Sequence, residues 1–275
     1  MKEKWVLMRD IKQGYTEQDL YNRMNKTVRR IVGQNCRHVR TFIDTDSIVG
    51  LQCVHVANKV KTHWAKKGVT VQLATQPLEG LETDEDIALF EEAAEMVDIV
   101  GCLPGRDTDP EKHLDIAFST ATKLGKDVEA HLDQCNVPEE KETELFCDMV
   151  ERYNYQGLAR GIHMISLACQ PQSYQRAIAK RLAALNIGLI VCPSAAMSMT
   201  QHSEKDAPIH NSIAPLPLLL EEGVSIGLGI DNIEDIFMPF CDGDIVFEMR
   251  LLAESQRLYD PNVLEKIMTN PMGFP

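Results

Sequence analysis

V-E-A-H-L-D-Q-C-N-V-P, residues 128–138, decides how the rest of the chain reads. It begins as a buried strand and breaks at Asn136 and Pro138, so His131 stands where a strand runs out into a loop. In a chain that alternates strand with helix, that is where a parallel sheet or barrel keeps its chemistry. Two later strand ends repeat the arrangement: segment 159–167 carries His163, and segment 224–229 runs into Asp231. Two imidazoles and a carboxylate on three strand ends form a donor set for a divalent metal.

Working outward, the apolar pattern alternates throughout. A Thr-capped helix opens at Thr16 and runs on Leu20, Met24, Val28, Ile31 and Val32 to a stop at Gly33. Strands are expected at 37–44, 69–75, 97–103, 128–132, 159–167, 187–192 and 224–229. Helices fall between them at 48–67, 84–95, 110–124, 138–155, 171–185 and 213–222, with two more at 245–255 and 263–268. The first fifteen residues show no clear strand. No linker, repeat or low-complexity tract divides the 275 residues, so one domain is expected. Seven strands are recognisable, one short of a TIM-type (β/α)8 barrel. Periodicity leaves an open parallel sheet as the alternative.

Composition narrows the classes. A net charge of −13 and pI near 5.1 oppose a nucleic-acid or anionic membrane surface. No apolar run approaches the roughly 20 residues of a membrane span. The N-terminus, M-K-E-K-W-V-L-M-R-D, has no long apolar core or cleavage signal, and a cytoplasmic protein is expected. The eight cysteines are dispersed without a C-x-x-C pair, and Cys102 and Cys192 lie inside apolar runs. They read as reduced packing residues.

Six segments together resemble the amidohydrolase superfamily, in its cytosine deaminase-like branch, over nearly the whole chain. H-V-R-T-F-I-D at 38–44 resembles the second strand, P-L-E-G-L at 77–81 the loop after the third, and V-D-I-V-G-C-L-P at 97–104 the fourth. E-A-H-L-D at 129–133 resembles the fifth with its metal histidine at His131, and G-I-H-M at 161–164 the sixth with its histidine at His163. G-L-G-I-D-N at 227–232 resembles the eighth with its metal aspartate at Asp231. The resemblance implies a (β/α)8 barrel holding one divalent metal, zinc or iron, that activates water. It implies His131, His163 and Asp231 as ligands, with Asp231 also the base. Departures are equally plain. The family's first-strand His-x-His pair occurs nowhere in this sequence, and its proton-shuttling acid is replaced by Gln134, which cannot titrate. The base-reading glutamine aligns with Leu78, the acid after the eighth-strand ligand with Asn232, and the following aromatic is Phe237. Cytosine itself is therefore not the expected substrate.

Other chemistry-bearing residues have plainer readings. Asp133 is the carboxylate nearest to Gln134, but the acid's role is not moved onto it. Glu79 reads as a solvated charge beside a turn, with a pocket residue as the alternative, and the acidic runs 82–86 and 139–144 as solvated helix starts. His38 and His55 are surface or core residues, Met197 and Met199 core filling or a pocket wall, and His210–Asn211 lie before a helix near a pocket mouth.

The expected function is metal-dependent hydrolysis of C–N bonds in a cyclic amide, amidine or amino-substituted heterocycle, with Gln134 hydrogen-bonding the substrate. The alternative is a non-catalytic barrel or subunit whose two unclosed strand edges invite self-association as a homo-oligomer. A nucleotide-binding open sheet is disfavoured because no Gly-rich phosphate loop follows an early strand. The expected partner is a small-molecule substrate, with no nucleic acid and no membrane.

Overall fold

The structure is a computed structural model that describes residues 2–199 and 210–270, with side chains from Lys4 onward. Its Cα framework divides into two compact units, Met1–Val128 with Asn232–Gly243, and Glu129–Asp231 with Asp244–Pro275. All seven expected strands form among the described residues.

The first unit runs α1 (Lys2–Gln13), α2 (Glu17–Gly33), β1 (His38–Asp44), α3 (Gln52–Ala65), β2 (Thr70–Gln76), α4 (Asp84–Met96), β3 (Val100–Cys102) and α5 (Pro110–Leu124). Thr16 caps α2 by accepting from Asp19 N–H at 3.2 Å, as the spacing predicts. Strands β1 and β2 pair in parallel from His38–Thr70 to Asp44–Gln76. Their side chains and those of α2 and α3 bury Leu20, Val28, Val54, Trp64, Val71 and Leu73 in one apolar cluster. Strand β3 joins through an Ala74–Ile99 bridge, and the Thr75 hydroxyl both donates to Gly101 C=O (2.8 Å) and accepts from Gly101 N–H (2.9 Å). Gly101 is obligatory there: a Cβ would stand 2.1 Å from the Thr75 carbonyl oxygen. Helix α5 matches its expected bounds because Asp109 caps it, Pro110 opens it and Gly125 closes it at φ 64.

Helix α1 lies where no element was assigned. It inverts the usual pattern, exposing Val6, Leu7 and Ile11 while burying Lys12. The Lys12 ammonium meets Asp44 at 2.7 Å and Asp46 at 2.5 Å, at the end of β1. Burial pulls the Lys12 pKa down, but the two carboxylates outweigh it and hold the pKa above its usual value.

The second unit runs β4 (Val128–Leu132), α6 (Glu142–Tyr153), β5 (Ala159–His163), α7 (Gln172–Ala184), β6 (Gly188–Val191), α8 (Pro193–Ser198), α9 (Leu216–Glu221), β7 (Ile226–Leu228), α10 (Ile245–Gln256) and α11 (Pro261–Thr269). Strands β4, β5, β6 and β7 are neighbours in that order, and β5–β6 and β6–β7 are parallel. Every residue of β4 and β5 is buried, as strands covered on both faces require.

Among the boundaries that differ from expectation, two have a clear local cause. Strand β5 stops at His163, not residue 167, because His163 (φ 72) and Met164 (φ 50) turn left-handed and a 3-10 turn follows at Ile165–Cys169. Helix α6 starts at Glu142, not residue 138, because Asp133 captures its first turn: its carboxylate accepts from Glu142 N–H (2.7 Å) and the Thr143 hydroxyl (2.5 Å). In return Glu142 accepts from Asp133 N–H at 2.8 Å. Glu142 is 6% exposed, so the acidic run 139–144 is not uniformly solvated. The short helix α8 occupies the first part of the Ser- and Met-rich stretch. The rest of that stretch, 200–209, lies outside the described residues.

Candidate metal centre

The second unit's parallel strands end together, and four chemistry-bearing residues sit at or just beyond those ends. His131 is the penultimate residue of β4, His163 the last of β5, Cys192 the first beyond β6, and Asp231 the third beyond β7. One ligand atom each from His163, Cys192 and Asp231 lies within 4.8 Å of the other two. His163 Nε2 stands 3.5 Å from Asp231 Oδ2. The His131 and His163 rings are 5.3 Å apart between centroids, tilted by 45°.

The backbone aims these groups. His163 and Asp231 both have left-handed φ, 72° and 69°. For a residue other than glycine this costs on the order of 1–3 kcal/mol, and such conformations persist where surrounding contacts fix them. Here Met164 N–H donates to Leu132 C=O at 3.1 Å and Ser166 N–H to Asp133 C=O at 2.9 Å. Gly161 leaves room for the Met164 side chain, whose methyl would lie 2.1 Å from an added Cβ. Cys192 stands at the N-cap position of α8, and the turn that follows is held by buried Glu248 of α10, which accepts from Ser194 N–H at 2.9 Å. Gly229 makes space for the thiol, since a Cβ there would stand 2.8 Å from Cys192 Sγ.

Burial sets the electrostatics. It lowers the His163 pKa to about 4, so the imidazole is neutral and its lone pair available at pH 7. His163 Nδ1 is buried with no hydrogen-bond partner, unusual for a histidine held only by packing. His131 is 7% exposed, and the Asp231 side chain, at 23%, is the solvent-facing member. Neutral imidazole, thiol and carboxylate together suit a borderline ion of the zinc or iron class better than magnesium or calcium.

The other sequence-selected residues distribute plainly. Gln134 is half-buried in the loop after β4, in the same unit as the histidines. Leu78, Asn232 and Phe237 belong to the first unit. There Leu78 is buried, its carbonyl accepting from Arg106 Nε at 2.5 Å, and Phe237 C=O accepts from Lys4 Nζ at 3.2 Å. Glu79 is not a solvated charge: it pairs with Arg9 at 2.5 Å, its side chain 8% exposed. His38 and His55 are surface residues, and Met197 is 45% exposed rather than core. His210 lines a cavity of about 570 Å³ in the second unit, and its Nε2 lies 3.0 Å from Cys169 Sγ. All eight cysteines are free of disulfides. Cys192, which the sequence assigns to packing, is the residue of this cluster that sequence reading missed.

Donors at strand ends of a parallel α/β scaffold stand where enzymes built on such folds place their chemistry. No family model matches the chain. It is 30% identical over 226 residues to an uncharacterised protein of Haemophilus influenzae, covering 81% of each. It is 24% identical to the pterin deaminase of Rhizobium rhizogenes, over 86% of this chain and 54% of that one. It is also 24% identical to the N-isopropylammelide isopropyl amidohydrolase of Pseudomonas sp., over 80% of this chain and 52% of that one. The chain thus spans about half the length of these two named relatives. Among solved structures, 5-methylcytosine deaminase from Klebsiella pneumoniae superposes with a TM-score of 0.91 at 19% identity, over 99% of this chain and 67% of that one. The fold is therefore that of the TIM-type barrels, with seven strands among the described residues. The chain is thus similar in sequence to two enzymes named for C–N bond hydrolysis on nitrogen heterocycles, and it shares the fold of a cytosine deaminase-like amidohydrolase. Among the described residues no helix is long and apolar enough to cross a membrane.

Proposed function

We propose that this chain is a metal-dependent hydrolase of C–N bonds in cyclic amides, amidines or amino-substituted heterocycles. The observation that carries the reading is the convergence of His163, at the end of β5, and Asp231, beyond the end of β7, with the His131 ring beside His163. Two donors on one zinc at about 2.1 Å stand roughly 3.4 Å apart in a tetrahedron, and the imidazole–carboxylate separation is 3.5 Å. The centroids of two imidazoles sharing such an ion stand roughly 5 Å apart, and here they are 5.3 Å apart. The relatives named for pterin and for N-isopropylammelide support a nitrogen heterocycle as substrate.

The chemistry a divalent ion supplies when bound there is acidification of water from pKa 15.7 toward about 7. The chain's own residues supply the rest. His131 and His163 would hold the ion through imidazole nitrogens, that of His163 kept neutral by burial. Asp231, the solvent-facing member, takes the proton released as water adds to the sp² carbon. Gln134 offers a donor and an acceptor to a ring amide but no titrating proton, which favours a leaving group that needs little protonation at that point. We place the protein in the cytoplasm, acting on a small molecule, with zinc or iron as the ion.

Metal content per chain, measured by plasma mass spectrometry on the full chain purified without chelator, is the direct test. The expected result is close to one zinc or iron in the wild type and little in His163→Ala, followed by turnover of aminopyrimidine or pterin substrates. Absence of metal after adding either ion, with no turnover, would replace the enzyme reading by that of a non-catalytic barrel. The sequence's lack of a His-x-His pair favours that second reading.

A further inference from the structure

We propose that Cys192 is a further ligand of the ion, adding a thiolate to the donors His163 and Asp231 at this centre. The inference rests on the metal-centre reading above and specifies its donor set. Three features support it. The three ligand atoms are mutually within 4.8 Å, and a zinc-bound sulfur and nitrogen stand roughly 3.6 Å apart, so closure needs at most about an ångström of side-chain movement. The sulfur is placed by structure on both sides: Glu248 fixes the turn that follows it, and Gly229 clears the space it fills. His163 turns Nε2 toward Asp231 Oδ2 at 3.5 Å, the separation that two donors on one ion adopt.

A thiolate ligand biases the choice of ion. Sulfur favours zinc, cobalt or cadmium over magnesium, calcium or manganese. Binding converts the thiol to a thiolate and passes its proton to the buffer, so affinity rises with pH until the thiol is deprotonated without the ion.

Cobalt(II) titration of the chelator-stripped full chain tests this, because thiolate coordination is visible independently of activity. The expected result is a near-ultraviolet sulfur-to-cobalt charge-transfer band that saturates near one equivalent. Cys192→Ser should lose that band, keep the visible d–d bands and bind cobalt at least about 100-fold more weakly, since even outer partners of a ligand are worth 10–100-fold. Cys169→Ser, which alters the sulfur beside His210, should keep the band. Cobalt binding without the charge-transfer band, at equal affinity in wild type and Cys192→Ser, would overturn the cysteine ligand and leave the metal centre standing. A band that disappears in Cys169→Ser instead would overturn it by moving the site to the His210 cavity. No binding of cobalt or zinc to the wild type would overturn the metal centre and this inference together.

Discussion

Each unit gathers ionisable side chains at a strand end, but the two gatherings differ in kind. In the first unit two acids at the end of β1, Asp44 and Asp46, meet the ammonium of Lys12 from α1. Asp46 also accepts from Ile48 N–H at 3.1 Å, tying the turn that follows the strand. In the second unit an imidazole, a thiol and a carboxylate come within 4.8 Å, all of them lone-pair donors. The first cluster is complete with the chain's own atoms. The second has the composition of a coordination shell. Burial alone therefore does not separate structural from functional polar groups; the signs of the partners do.

The sharpest way to break this contrast is to remove the central group from each cluster. Lys12→Met leaves two acids without their internal cation and should cost about 3–5 kcal/mol of stability by urea denaturation. His163→Asn should change the metal-free protein by no more than about 1 kcal/mol. If both variants lose equal stability without metal, the contrast fails. The next effect belongs to the metal. Zinc at 100 times its Kd should stabilise the wild type by about 2.7 kcal/mol, and His163→Asn by much less.

A smaller effect refines the comparison within the second unit. Burial pushes the Glu142 carboxyl above its usual range, with Glu140 and Asp133 adding to it, and burial likewise raises Asp133 to about 7. A carboxyl raised in the folded state is protonated there at pH values where the unfolded chain has ionised. Its stabilisation is complete below the unfolded value, near 4.5 for Glu142, and is lost as pH rises through the folded one. The wild-type Tm should fall between pH 6 and 9. Glu142→Gln, which keeps an acceptor for Asp133 N–H, should flatten that fall; an unchanged slope would mean other groups carry it.

Much of this architecture was legible because apolar runs and turn residues agreed. Strand β4 and helix α5 have the expected bounds, the latter since Asp109, Pro110 and Gly125 act locally. Helix α1 was illegible because its apolar residues Val6, Leu7 and Ile11 face outward and its buried residue is a lysine. The late start of α6 depends on Asp133 bonding nine residues ahead, which no local propensity encodes. At the centre, the strand-end positions of His131, His163 and Asp231 could be read from the breaks that follow them. Cys192 could not: Leu189, Ile190 and Val191 before it make a run in which a thiol looks like one more small apolar group. Only the neighbouring strands reveal what its sulfur meets.

The left-handed turns at His163 and Asp231 bear on how mutational data from this centre should be interpreted. Alanine at either place removes a donor and also installs a side chain ill-suited to that backbone, so two injuries arrive as one number. Asparagine and aspartate tolerate that conformation best among residues other than glycine. A His163→Asn or Asp231→Asn scan therefore isolates the loss of coordination from the loss of geometry, and the gap between asparagine and alanine at each position measures how firmly the scaffold holds its donors before any ion arrives.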